Sequence, residues 1–263
     1  MRYAFGIEYD GSAFLGWQVQ RQEPTIQACV EAALTRVADH PVHVSCCGRT
    51  DTGVHALCQV AHFDSTAQRS ERSWILGANS HLPPAISILW LRAVDENFHA
   101  RFSAFSRSYR YRILNRWVRP ALEAKRVSWC RQPLDAEMMH LAAQALHGEH
   151  DFSAFRAASC QARHAQREIH DISVARIGNE IRIEVTANGF LYHMVRNIAG
   201  SLIAIGLEEK PIGWMQALLL GRDRTLAAPT AAAAGLYFLG ARYPEQYQLP
   251  GSEIDFSSDR DLL

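Results

Sequence analysis

Apolar and polar positions alternate from the start of the chain. Tyr3, Phe5, Ile7 and Tyr9 fall on one face, and Ala4, Gly6, Glu8 and Asp10 on the other. That period of two predicts a strand, turned by the following Asp-Gly-Ser. The period then lengthens. Ile26, Val30, Ala33, Leu34 and Val37 form a helical stripe over 25–40 with Thr25 as N-cap. Strands are predicted over 42–47, 55–64 and 85–94. A short helix is predicted over 70–82, capped at Ser70 or Ser73 and closed before Pro83 and Pro84.

The second half repeats the mixture. Segments 108–115 and 126–131 read as strands, and 133–148 as a helix with Asp135 as N-cap and Gly148 near the C′ position. Segment 170–187 reads as a hairpin, with Ile181, Ile183 and Val185 inward and Arg182 and Glu184 outward. Apolar helices are predicted over 190–206 and 212–223, and a last strand over 236–243. Strands and helices mix without strict alternation, which predicts an α+β fold with mainly antiparallel sheets.

Composition changes this picture in one place. The 263 residues are 48% hydrophobic and 21% charged with zero net charge, enough chain for one large domain or two. Of the 27 basic residues, 25 are Arg and two are Lys. Eight of those arginines and Lys125 lie in 99–131 against one acid, Glu123, while 245–263 holds five acids against Arg260. Arginine favours bidentate contact with phosphate and stacks on bases, so a local stripe interleaved with aromatics points toward RNA. Surface ion pairs are the plain alternative. The shift near residue 103 suggests domains at 1–103 and 104–263. No run approaches the length of a membrane span, and the charged, alternating N-terminus is not expected to be a signal peptide. Six cysteines without a regular framework suggest reduced thiols in a cytoplasmic protein.

The candidate chemistry begins in CCGRTDTGVH, residues 46–55. Gly48 and Gly53 permit a tight turn and the close approach of another molecule. Asp51, between Thr50 and Thr52 and two residues after Arg49, has neighbours that favour its charged form. An Asx-turn is the structural alternative. Arg196 sits in an otherwise apolar helix, where a guanidinium needs an anion or carbonyl groups. His55 and His193 read as hydrogen-bonded structural groups, and no metal spacing is present.

GRTDTGVHA resembles the catalytic motif of the tRNA pseudouridine synthase A (TruA) family. GIEYDGSAFLGWQVQ, FHARFSAFSRSYRYRI, FLYHMVRNIAGSL and DRTLAAPTAAAAGLYF resemble further family blocks in the same order. Thr52 stands where alanine is common in the family. The resemblance implies two RNA-recognition-like domains related by a pseudo-twofold, their sheets joined, with a positively charged catalytic cleft between them. It implies isomerisation of uridine to pseudouridine at positions 38, 39 and 40 of the tRNA anticodon stem-loop by a homodimer, with no cofactor and no metal. Asp51 matches the family's essential aspartate, Tyr109 the tyrosine that stacks on the target base, and Arg49 the arginine that helps extrude the nucleotide. Arg196 is expected to hold Asp51 ionised and aimed.

Three rival readings compete with this one. An aspartyl-phosphate enzyme needs further acids for Mg²⁺, and 40–63 offers none near Asp51. A zinc base deaminase needs an H-x-E and P-C-x-x-C pattern that is missing. A non-catalytic RNA-binding module separates from an enzyme only at Asp51.

Overall fold

The computed structural model describes residues 1–20 and 24–250. The 251–263 part of the acidic tail therefore lies outside the described residues. The chain folds as two compact units: Met1–Arg107 with the chain from Phe238 onward, and Ser108–Tyr237. The first division falls close to the composition shift at 103. The return of the closing segment to the first unit has no counterpart in a single cut.

In the first unit, β1 (Arg2–Tyr9) leads to α1 (Ile26–Ala38), β2 (Ser45–Cys46), β3 (His55–Asp64), α2 (Glu71–Asn79) and β4 (Ile86–Val94). Thr25 caps α1 by accepting from Ala28 N, and Ser70 caps α2 by accepting from Ser73 N, satisfying orphan amides of each first turn. The sheet runs β4-β1-β3 with β2 also paired to β3, and these three pairings are antiparallel. This βαββαβ order with strands 4-1-3-2 is the split βαβ arrangement. Tyr3, Phe63 and Trp74 pack their rings in its core.

The second unit holds most of β5 (Ser106–Asn115), with β6 (Ser128–Cys130), α3 (Ala136–Ala143), β7 (Gly148–Asp151), β8 (Gln166–Ile177), β9 (Glu180–Ala187), α4 (Met194–Gly206) and α5 (Trp214–Gly221). Its strands run β5-β9-β8-β7, with β6 parallel to β5. Strands β5, β9 and β8 thus repeat the 1-3-2 order of β1, β3 and β2. β10 (Leu236–Arg242), most of which belongs to the first unit, lies beside β3. Its C-terminal side is tied down there: Phe105 N donates to Arg242 O at 3.0 Å, and Tyr243 OH to Ala100 O at 2.6 Å. The fold is α+β with mainly antiparallel pairing, as the hydropathy pattern predicts.

Four local expectations fail for identifiable reasons. The strand over 42–47 shrinks to Ser45–Cys46. The amides of Val42 and Val44 donate instead to Thr35 Oγ1 and Glu31 Oε1 of α1, so side chains replace a strand partner. The helix over 190–206 begins only at Met194, because His193 adopts φ 62°, a left-handed conformation that a right-handed helix cannot contain. Gly148 (φ 91°) opens β7, an unforeseen strand, rather than closing α3. Arg182, expected outward, is buried, as are Arg110 and Arg112 of β5.

Those arginines are neutralised by acids on β9 and nearby. Arg110 pairs with Glu184 at 2.7 Å, Arg112 with Glu180 at 2.7 Å and Glu123 at 2.9 Å, and Arg182 with Glu180 at 2.6 Å. Burial pushes the Glu180 carboxyl up, but hydrogen bonds from Arg112 and Arg182 outweigh it and hold the group below its ordinary range. Because the folded pKa is depressed, this stabilisation is complete above the unfolded carboxyl range and is lost as pH falls through the folded value. Glu180→Ala leaves two buried guanidiniums short of an anion. We expect a loss of about 3–5 kcal/mol in urea unfolding at pH 7, with the difference from wild type narrowing in acid.

Candidate active site

The GRTD segment connects β2 to β3, and its placement follows from what it is tied to. Cys47 N donates to Val60 O at 2.8 Å, and Gln59 Nε2 to Gly48 O at 2.5 Å. Thr50 is buried, and its Oγ1 lies 2.8 Å from the phenol oxygen of Tyr9 at the end of β1. Trp17 N donates to Thr50 O at 3.0 Å, and Val54 N to Asp51 O at 3.1 Å across a turn in which Gly53 adopts φ 78°. The 11–17 loop clasps this turn. Gly16 (φ 80°) approaches so closely that a Cβ would lie 2.5 Å from Thr50 O. Exposure alternates along the turn: Arg49 is exposed, Thr50 buried, Asp51 half-buried and Thr52 exposed.

The neighbouring thiols are poor competitors for nucleophilic chemistry. Burial, with Cys47 alongside, pushes Cys46 up to about 12, and burial raises Cys47 as well. Both stay protonated near neutral pH. The first unit therefore presents a carboxylate and a guanidinium, two residues apart, on a turn whose middle residue is locked inside. His55 is structural, as expected: it is buried, and Gly11 N donates to its Nδ1 at 3.2 Å.

In the second unit, Tyr109 and Tyr111 share a face of β5, and their surroundings separate them. Tyr111 is fully buried, donates its hydroxyl to Ala232 O at 2.8 Å and is pushed up to about 12, chiefly by burial. Tyr109 retains 9% exposure and meets Phe190 edge-on, with ring centroids 4.9 Å apart. Phe190 lies just ahead of α4, which carries Arg196 in its first turn. Arg196 is half-buried. Its Nε donates to Ala231 O at 2.8 Å, and Ala231 N donates back to Arg196 O at 3.1 Å.

The segment 229–232 that receives Arg196 is itself fixed. Thr230 Oγ1 donates to Asn197 Oδ1 at 2.7 Å, Arg224 Nη2 reaches the same oxygen at 3.0 Å, and Asn197 Nδ2 donates to Phe155 O at 2.8 Å. Gly200 admits Pro229 O where a Cβ would stand 2.1 Å away. Sequence reasoning assigned none of Tyr9, Gly16, Asn197, Arg224 or Thr230 a role. The only signal was their presence in the blocks around residues 6–20, 190–202 and 223–238.

A family model described as tRNA pseudouridine synthase matches residues 7–103 and 142–244. The chain belongs to that family and is an isomerase acting on tRNA uridine. Relatives narrow the likeness to one enzyme type. A tRNA pseudouridine synthase A of Xanthomonas campestris pv. campestris is 56% identical over 252 residues, covering 95% of this chain and 98% of that protein. One of Xylella fastidiosa is 57% identical over 251 residues with the same coverage. Among solved structures, a Cbf5–Nop10–Gar1 complex aligns with 90% of this chain and 49% of that one at a TM-score of 0.37 and 13% identity, too distant to bear on the site. Arg49, Asp51 and Arg196 fall inside the matched segments, and Tyr109 falls between them.

Tyr9→Phe strands the buried Thr50 hydroxyl without the phenol. We expect a stability loss of about 1–2 kcal/mol by chemical denaturation. Turnover should fall about ten-fold, because the residue beside Asp51 loses its anchor.

Proposed function

We propose that this protein converts uridine to pseudouridine at positions 38, 39 and 40 in the anticodon stem-loop of tRNA, using Asp51 as its reacting carboxylate. The observation that carries the reading is the Asp51 turn: a half-buried carboxylate on a backbone held by Thr50 and Gly16, in a chain of this family. The N1–C1′ bond breaks, the uracil turns over, C5 joins C1′, and the C5 proton is exchanged for one on N1. Nothing is oxidised and no group enters, so the chemistry calls for no cofactor. Asp51 acts either at C1′ or on the C2′ proton. Each role needs an ionised, oriented oxygen against an electron-poor sugar.

The other residues take parts suited to their chemistry. Tyr109 offers an aromatic face to the unstacked base. Arg49, exposed beside the reacting group, fills the space of a nucleotide drawn from its stack, an extrusion costing a few kcal/mol. Arg196 keeps the Asp51 carboxylate ionised and aimed. The enzyme works as a homodimer in the cytoplasm. All six cysteines are free thiols, and among the described residues no helix is long and apolar enough to cross a membrane.

Incubation of purified protein with unmodified tRNA, followed by nucleoside mapping, tests reaction and position together. Asp51→Asn should bind tRNA normally and form product at least about 10³-fold more slowly. Joint loss of binding and product would instead favour a binding module. Arg196→Ala should lose far more turnover than thermal stability. Near-normal turnover in that variant removes Arg196 from the site.

A further inference from the structure

The basic stripe of 99–131 is two populations. Arg110 and Arg112 are buried and paired with acids, so they are unavailable to RNA. Arg116 and Arg131 are exposed, and they meet Arg176 of β8 around a cleft of about 460 Å³ also lined by Asn115, Trp117 and Pro133. That volume lies within the range of small-ligand sites. Among the described residues, none of these three guanidiniums pairs with a carboxylate.

The cleft is built rather than incidental. The Arg131 guanidinium lies 3.5 Å from the Trp117 ring centroid. Such stacking uses the flat face of the guanidinium and leaves its in-plane N–H donors directed outward, the geometry that grips phosphate. Trp117 is 70% exposed, so it offers aromatic surface beyond the part Arg131 covers. Arg116 is steered by its Nε bond to Val118 O at 2.9 Å, and Arg176 by Nη2 bonds to Leu134 O at 2.6 Å and Asn115 Oδ1 at 2.9 Å. Trp129 Nε1 donates to Arg116 O at 2.9 Å and fixes that backbone. An adjoining cleft shares Arg176 but carries Asp135, Glu137 and Glu208. Those acids repel an anion and confine it to the Trp117 side.

We infer that this cleft is an auxiliary nucleotide site. Trp117 stacks an unpaired base of the tRNA while Arg116, Arg131 and Arg176 hold the adjoining phosphates. The inference rests on the tRNA reading above and adds a second point of contact. Asn115, on its rim, lies six residues beyond Tyr109 on β5, about 20 Å along an extended strand. One nucleotide cannot touch both, so the cleft supplies binding rather than chemistry, and its loss should fall on KM more than on kcat.

The test measures tRNA affinity directly and product formation separately, for wild type, Trp117→Ala, Trp117→Phe and Arg131→Gln. Trp117→Ala should weaken full-length tRNA binding about ten-fold, the worth of one base stack, with a matching rise in KM. Trp117→Phe should recover most of it. Arg131→Gln should lower the slope of log affinity against log salt by about one. Unchanged affinity and salt slope in Trp117→Ala and Arg131→Gln, each with wild-type melting, overturns the site. So does an equal loss with Trp117→Phe. A wild-type protein that binds tRNA but makes no pseudouridine defeats the functional reading while the binding comparison still decides this one.

Discussion

A contact between two hydroxyls, Tyr9 and Thr50, governs where residue 51 can stand. It is sealed from water, so no solvent molecule can replace either oxygen as a partner. Burial raises the Tyr9 phenol well above its ordinary value, and the group stays neutral and able to share a proton with Thr50. The main chain on either side of Thr50 is held as well, by Trp17 and by the turn to Val54. The position of residue 51 is thus set by the residue before it, while Asp51 itself remains partly open.

The second unit reaches the same end by different residues. Arg196 and Ala231 exchange bonds, and the Ala231 segment is gripped through Asn197, Thr230 and Arg224. In both units a glycine allows two backbones to approach more closely than any Cβ permits: Gly16 against Thr50, Gly200 against Pro229. Arg49 and Asp51 lie on a loop and Arg196 on the first turn of α4, and buried polar bonds fix the segments around them. This explains why the blocks resembling the family extend well beyond the residues given a chemical part.

Much of the fold was legible because its determinants are local. Thr25, Ser70 and Asp135 cap the helices they were expected to cap, and the 55–64 strand and the 170–187 hairpin follow their alternation. What failed depended on distant partners. Arg112 is 68 positions from Glu180, so no window of sequence reveals that this arginine is internal. Val42 and Val44 alternate like a strand but spend their amides on α1. At the site, residue chemistry alone left Asp51 as an Asx-turn or a reactive group, and family resemblance chose between them. Tyr109 and Tyr111 share one face of β5, and only the family resemblance singles out Tyr109.

The first unit is discontinuous in the chain: its sheet includes most of β10, which comes only after nearly all of the second unit. On a ribosome adding about 5–20 residues per second, β1 to β4 emerge and then wait on the order of ten seconds for that strand. During the delay part of the β3 edge is uncovered, a template for unwanted pairing. Newborn protein is therefore most vulnerable to aggregation before β10 has emerged, and a nonsense mutation ahead of that strand removes part of the N-terminal unit's sheet.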